Sequence, residues 1–371
     1  MNTPSNIQKL ASAGTSVWLD DLSRSRLTSG ELASLIDAKG IVGVTTNPAI
    51  FAAAMSQGDA YDEQLRELAA AGVDADEAVF AMAVKDVQDA CDVLAGVHEQ
   101  TGGVDGWVSL EVDPRLAHDA VGTVAQAKEL AAQVNRANLM IKIPATTECL
   151  PAISEVLAAG ISVNVTLIFS VERYEQVMDA FVEGIAAAER AGQDIRGIHS
   201  VASFFVSRVD SDIDPQLADK GAEAAALQGK AALANARLAY ASYLDKLAND
   251  PRWQEFVGRG ANTQRPLWAS TSVKNPEYPD TLYVTELAGP NTVNTMPEAT
   301  LDATIDHGET TGDQLSGRAS ESLEVFSALT SAGIDLPEVW QRLETEGVQK
   351  FEQAWNELLS TLREQIGRAH V

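Results

Sequence analysis

Along almost its whole length the chain alternates short β-like runs with helical stretches, and no other feature restricts its fold as strongly. The β-like runs are Thr15–Asp20, Ile41–Thr45, Gly106–Glu111, Asn138–Ile143, Ile161–Thr166, Gly197–Ser203, Pro266–Ser270 and Thr281–Thr285. Between most of them lie Ala-, Leu- and Glu-rich stretches with helical periodicity, among them Ser29–Ala38, Tyr61–Ala71, Asp76–Gln100 and Leu116–Asn135. Strands that alternate with helices form βαβ units, and βαβ units build a parallel sheet. Eight such units in 371 residues predict a closed (β/α)8 barrel, the TIM-barrel architecture, whose functional residues gather at the carboxyl ends of the strands.

The rest of the chain reads as additions to that barrel, so that residues 1–371 form one barrel domain with a helical extension over about 312–366. Residues 4–14 predict a short amphipathic helix that plugs the barrel bottom. The widest gap between strands, from about 204 to 265, holds the acidic stretch Asp210–Asp219 and then an Ala-rich helix from Ala222 to about Asn249. The acidic stretch is longer than a minimal βα connection and reads as a lid or substrate rim. Met296–Ile305 is expected to follow strand eight as its helix. Further helices are expected around Gly312–Ala332 and Pro337–Gln365, the last anchored on the barrel by Trp340, Phe351, Trp355, Leu358 and Leu359.

Charge narrows the partners. With 27 basic against 53 acidic residues the chain carries a net −26, which opposes nucleic acid and anionic membranes. Any anionic substrate must then find a local cluster of cations. No run of about 18 apolar residues suggests a membrane span, and no leader is visible, so a cytoplasmic protein is expected. Cys91 and Cys149 fit free thiols in a reducing compartment. The five histidines show no metal-ligand spacing, and no metal is expected.

Within this frame one strand stands out, Asn138-Leu-Met-Ile-Lys-Ile-Pro144. Alternation sends Leu139, Ile141 and Ile143 to one face and Met140 and Lys142 to the other. Desolvation disfavours a charged amine, and a neutral amine attacks carbonyl carbon. A lysine at a strand end can equally snorkel to the surface. Its company favours chemistry: Asp20, Thr45-Thr46-Asn47, Glu111, Asn164, Thr166 and Ser203 stand at the ends of other strands. Parity agrees, since Ser109 shares a face with Glu111, and Asn164 with Thr166. Each residue also has a plain structural reading. Asn47 before Pro48 can simply initiate a turn, Glu111 can merely pair with a cation, and a β-branched Thr166 suits any strand.

The segments Trp18-Leu-Asp-Asp-Leu-Ser23, Thr45-Thr-Asn-Pro-Ala-Ile-Phe51, Ser109-Leu-Glu-Val-Asp-Pro114, Leu139-Met-Ile-Lys-Ile-Pro144, Asn164-Val-Thr-Leu-Ile-Phe-Ser170 and Ser203-Phe-Phe-Val-Ser-Arg-Val-Asp210, taken together, resemble the transaldolase family. The resemblance covers six of the eight strands in order and extends less sharply to the seventh. It implies transfer of a dihydroxyacetone unit from a ketose phosphate to an aldose phosphate in the pentose phosphate pathway, through a lysine Schiff base and without cofactor, by a monomer or homodimer. It assigns Lys142 to the Schiff base, Asp20 to the C4 hydroxyl, Glu111 to acid–base work through a water, and Thr166 to orienting that water. Asn47, Asn164 and Ser203 would hold the dihydroxyacetone unit.

Arg208 matches the first phosphate-binding arginine of the family. Where many members carry a second arginine after strand seven, this chain reads Ser270-Thr-Ser-Val-Lys-Asn-Pro276, and Lys274 is expected to take that role. Arg24 and Arg26 are alternatives, with a surface role expected for both. Fructose-6-phosphate aldolases, which are similar, tend to carry tyrosine where this chain has Phe205. A phenyl ring has no proton to give an enamine, so Phe205 implies transfer over aldol cleavage.

Overall fold

The structure, a computed structural model, describes residues 5–56 and 58–369. Eight strands, β1 (Thr15–Leu19), β2 (Gly43–Val44), β3 (Trp107–Glu111), β4 (Leu139–Pro144), β5 (Val163–Ile168), β6 (Ser200–Phe205), β7 (Gln264–Ala269) and β8 (Thr292–Met296), close into a barrel in sequence order. All pairs are parallel, including the closing pair of β1 with β8. This is the expected (β/α)8 barrel, with extra helices at both ends of the chain.

The N-terminal helix Asn6–Ala13 is set by its caps. Ser5 and Gln8 form a reciprocal capping box, and Gly14 closes the helix at φ +97°. The floor of the barrel is polar yet closed: Arg265 at the start of β7 pairs with Asp105 at 3.1 Å, and both reach Ser16 of β1. Above this plug the indole of Trp18, fully buried, donates to Asp105. The neighbouring position on β2 is Gly43, where a Cβ would lie 2.5 Å from the indole. Glycine is thus required there by close approach.

Four sequence expectations need correction. The stretch Thr281–Thr285 is not strand eight; it contributes one helical turn, Leu282–Thr285, with Tyr283 and Val284 buried. Its aromatic and β-branched composition imitates a strand, but its position is fixed by packing and by the Tyr283 hydroxyl donating to Asp210 at 2.7 Å. The true β8 was obscured by its polarity, since Thr292, Asn294 and Thr295 are all buried, with side chains hydrogen-bonded to Thr15, to the Tyr283 carbonyl and to Thr45. Its helix is Glu298–His307.

The acidic stretch Asp210–Asp219 is no loop, because Ser207–Ala218 is helical. Asp210 and Asp214, one turn apart, accept from the backbone of Ala232 and Gly229 and from the hydroxyls of Tyr283 and Tyr278. These carboxylates tie the helix to the following segments. The Ala-rich segment is itself broken around Gly229 (φ +72°) into Ala222–Ala225 and Ala231–Asn249. The next expected helix starts late, at Ala319.

The C-terminal helix Leu336–Ala369 crosses the carboxyl-end face of the barrel and packs on the helices Pro48–Met55, Asp62–Ala70 and Ala75–Gln100 and on β5. Phe351, Trp355, Leu358 and Leu359 are buried, as an anchoring role requires, while Trp340 stacks on Phe326. Gly347 permits the close approach, since a Cβ there would lie 3.0 Å from Leu167 and 3.3 Å from Phe169. Cys91 and Cys149 are buried and free. No helix among the described residues is long and apolar enough to cross a membrane.

Gly43→Ala is expected to cost about 1–3 kcal/mol by overpacking against Trp18, read as a lowered denaturation midpoint at unchanged slope.

Candidate active site

At the strand ends under the C-terminal helix lies a cavity of about 170 Å³, lined by Asp20, Asn47, Lys142, Ser203, Phe205, Arg208 and Lys274 among the predicted residues. Thr45, Ser270, Ser272, Thr295, Pro297 and Phe351 complete most of its wall. A larger cavity of about 470 Å³ opens on the flank, between Phe169, Arg173, Asn235, Trp340 and Glu344. Its cation is already compensated by the Arg173–Glu344 pair at 3.4 Å, and none of the predicted residues lines it. The predicted site residues gather at the smaller cavity.

Lys142 is held by register. It lies opposite Glu111 on β3 and Asn164 on β5, and all three project inward. Its amine, only 4 % exposed with its residue, donates to the Thr46 carbonyl at 2.9 Å and stands 3.4 Å from Glu111 Oε2. That oxygen has no hydrogen-bond partner at shorter range. Burial pushes the Glu111 carboxyl up to about 7, against the opposing pull of Lys142. A group that titrates near neutrality can both give and take a proton.

Asp20 faces the cavity. It accepts from the Thr45 hydroxyl at 2.6 Å, and Thr45 in turn meets Thr295 at 2.7 Å. Desolvation raises the Asp20 carboxyl above the ordinary range, with Lys142, Thr45 and Arg208 opposing. The adjacent Asp21 points away and pairs with Arg26. Thr166 is fully buried and its hydroxyl has no protein partner. Such an orphaned hydroxyl on the face of Asn164 is suited to hold a water.

The amides divide their duties. Asn47 caps the helix Pro48–Met55 by accepting from the Ile50 amide at 3.1 Å, with Pro48 at the first helical position. The turn-forming reading of Asn-Pro is therefore correct as far as it goes, and the side-chain NH2 remains for the cavity. Asn164 lies beneath the cavity instead of lining it. It donates to Ser109 at 2.9 Å and accepts from Ser203 at 2.7 Å, which orients the Ser203 hydroxyl at the wall.

The far end is cationic. Arg208 sits in the first turn of the helix Ser207–Ala218, its guanidinium 4.9 Å from the Phe205 ring centroid. Its Nη1 is buried without a hydrogen-bond partner, and no carboxylate among the described residues lies within ion-pair distance. Lys274 is exposed at the rim, bonded to Ser272 at 2.7 Å. Arg24 and Arg26 are committed elsewhere, to Asp86 and to Asp21, Glu31 and Glu298. Sequence reasoning missed Thr45 as the partner of Asp20, although it stood within the quoted motif. It also gave Phe351 only an anchoring role. No local signal could place Phe351 in the cavity, because its position comes from packing of a helix remote in sequence.

Fold and site together define a (β/α)8-barrel protein with a buried amine–carboxylate pair at its mouth and an uncompensated cation beside it. The family model described as Transaldolase/Fructose-6-phosphate aldolase matches residues 17–362. The chain is 59% identical over 365 residues to a transaldolase of Mycolicibacterium smegmatis, covering 98% of each chain. It is 57% identical over 371 residues to one of Saccharopolyspora erythraea, covering 100% of each, and 58% identical over 370 residues to one of Kocuria rhizophila, again covering 100% of each. The chain belongs to the transaldolase/fructose-6-phosphate aldolase family.

Because burial raises the folded Glu111 carboxyl to about 7 and an unfolded one keeps its ordinary value of 4.5, the folded state binds more protons between those values. Stability conferred by wild-type Glu111 relative to Glu111→Gln is therefore expected to fall as pH rises from about 5 to 7. Denaturant unfolding of both proteins across that range checks the sign.

Proposed function

We propose that this protein is a transaldolase that moves a dihydroxyacetone unit from fructose 6-phosphate or sedoheptulose 7-phosphate to erythrose 4-phosphate or glyceraldehyde 3-phosphate. It would act in the cytoplasmic, non-oxidative part of the pentose phosphate pathway. The observation that carries the reading is one cavity lined by the Lys142 amine, with Glu111 3.4 Å behind that amine, and by the Arg208 guanidinium, which has no ion-pair partner. An amine beside a proton carrier suits a carbonyl carbon, and a guanidinium without a carboxylate suits a phosphate. Free, buried Cys91 and Cys149 accord with a reducing compartment.

In this reading Lys142 Nζ adds to C2 of the ketose, and the resulting carbinolamine loses water to give an imine. Glu111, through a water held by Thr166, supplies and removes the protons. The protonated imine withdraws electrons, Asp20 takes the proton of the C4 hydroxyl, and the C3–C4 bond breaks. The leaving aldose phosphate departs and an enamine stays on Lys142 until an acceptor aldehyde arrives. The raised Asp20 carboxyl favours a base that takes up this proton. Asn47 and the Ser203 hydroxyl, aligned by Asn164, would bind the hydroxyls of the three-carbon unit. Phe205, apolar and packed against Phe169 with ring centroids 5.2 Å apart and planes tilted by 44°, offers the enamine no proton, which favours transfer over release.

The test is release of glyceraldehyde 3-phosphate from fructose 6-phosphate with and without erythrose 4-phosphate. Acceptor-dependent release with an equal amount of sedoheptulose 7-phosphate is expected; sustained release without acceptor would identify an aldolase. Borohydride should fix the three-carbon unit on Lys142, and Lys142→Arg should abolish both adduct and turnover. Lys274→Ala is expected to raise KM about tenfold with kcat little changed, as loss of a solvent-exposed phosphate contact would. Arg208→Ala should cost more, about a hundredfold in kcat/KM, since that charge is desolvated.

A further inference from the structure

The enamine has two fates. Its C3 can add to the aldehyde of the second sugar, which is transfer. Alternatively C3 takes a proton from water, giving the imine of dihydroxyacetone. Water then adds at C2, and collapse frees dihydroxyacetone and the Lys142 amine, which is aldol cleavage. Whichever wins depends on how well water is kept from the atoms next to Nζ.

Most of the cavity wall is hydroxyl, carboxyl, amide or cation and so retains water. Two aromatic rings interrupt it. Phe205 lies beneath the Arg208 guanidinium, 4.9 Å from it. Phe351, from the C-terminal helix, lies with its ring centroid 5.8 Å from Lys142 Nζ and is 6 % exposed. The helix that delivers it is seated closely, since a Cβ at Gly347, one turn earlier, would lie 3.0 Å from Leu167 and 3.3 Å from Phe169. The amine thus faces a fixed apolar ring, and a ring face also attracts a desolvated cation such as a protonated imine.

We propose that Phe351 is a specificity-determining residue, whose ring covers the Lys142 nitrogen and its adduct, excludes water from the enamine and thereby keeps the reaction on the transfer branch. This rests on the function proposed above. The C-terminal helix is then part of the reaction chamber as well as an anchor on the barrel.

The measured quantity is the ratio of acceptor-independent to acceptor-dependent glyceraldehyde 3-phosphate release from fructose 6-phosphate. Phe351→Ala removes the ring, and Phe351→Gln keeps bulk while offering water a partner. Each should raise the ratio about tenfold, the scale of a desolvated ring–cation contact. Borohydride trapping runs alongside. A variant that still forms the Lys142 adduct yet keeps the wild-type ratio overturns the proposal. Equal loss of both rates also overturns it, since the ring would then only hold the helix in place. Failure of both variants to form any adduct assigns Phe351 to imine formation instead and equally refutes the branch-point role. Absence of the adduct in the wild-type protein would instead sink the transaldolase reading itself.

Discussion

Two groups that water would normally keep apart, an amine and a carboxyl, are held 3.4 Å from each other with almost no solvent contact, on adjacent strands at paired register positions. Burying such a pair is costly unless remaining hydrogen-bonding capacity is met. The surrounding structure meets part of it. The Thr46 carbonyl takes one amine proton, and the Asn164–Ser109 and Asn164–Ser203 bonds satisfy the neighbouring polar groups. Buried polar atoms without a partner are scattered through the described residues; among them Arg208 Nη1 belongs to the cavity wall, and Glu111 Oε2 and the Thr166 hydroxyl lie on the two strands that flank Lys142. Orphaned buried polar atoms cost about 1–3 kcal/mol each when unpartnered.

Charge operates on two scales. The molecule as a whole carries −26, which opposes the approach of any phosphate ester. The mouth reverses this locally by placing Lys142, Arg208 and Lys274 on one small cavity. Most other arginines and lysines near the rim, such as Arg24, Arg26 and Arg173, are neutralised by carboxylates. Leaving Arg208 without one is therefore a selective arrangement. Its burial against the Phe205 ring also strengthens whatever anion it meets, because low-dielectric surroundings screen less.

The barrel was legible because a period-2 run alternating with a period-3.6 stretch is written directly into hydrophobic spacing. The seven strands with apolar or branched centres were found within a few residues. The eighth failed for a physical reason. Thr292-Val-Asn-Thr-Met296 is polar at three positions that the fold buries, with Asn294 donating to the carbonyl of Tyr283, whereas Tyr283 and Val284 have strand-like side chains but sit in a helical turn. The acidic helix Ser207–Ala218 was misread in the same way. Its aspartates look solvent-seeking in sequence, yet Asp210 and Asp214 are sequestered by tyrosines and backbone amides from distant segments.

Residue type and alternation alone set Lys142 opposite the apolar run of its strand and put Glu111 with Ser109 and Asn164 with Thr166 on one face each, since parity is a local property of extended backbone. They also singled out Asp20 at a strand end, whereas Arg208 came from the family resemblance. Only the tertiary structure decided that Thr45 is the partner of Asp20, that Asn164 orients Ser203 from below, and that Phe351 looks onto the amine. Those facts depend on how β8 closes against β1 and how a helix more than 200 residues downstream settles across the mouth. Such contacts arise from packing between remote segments, and no spacing within either segment encodes them.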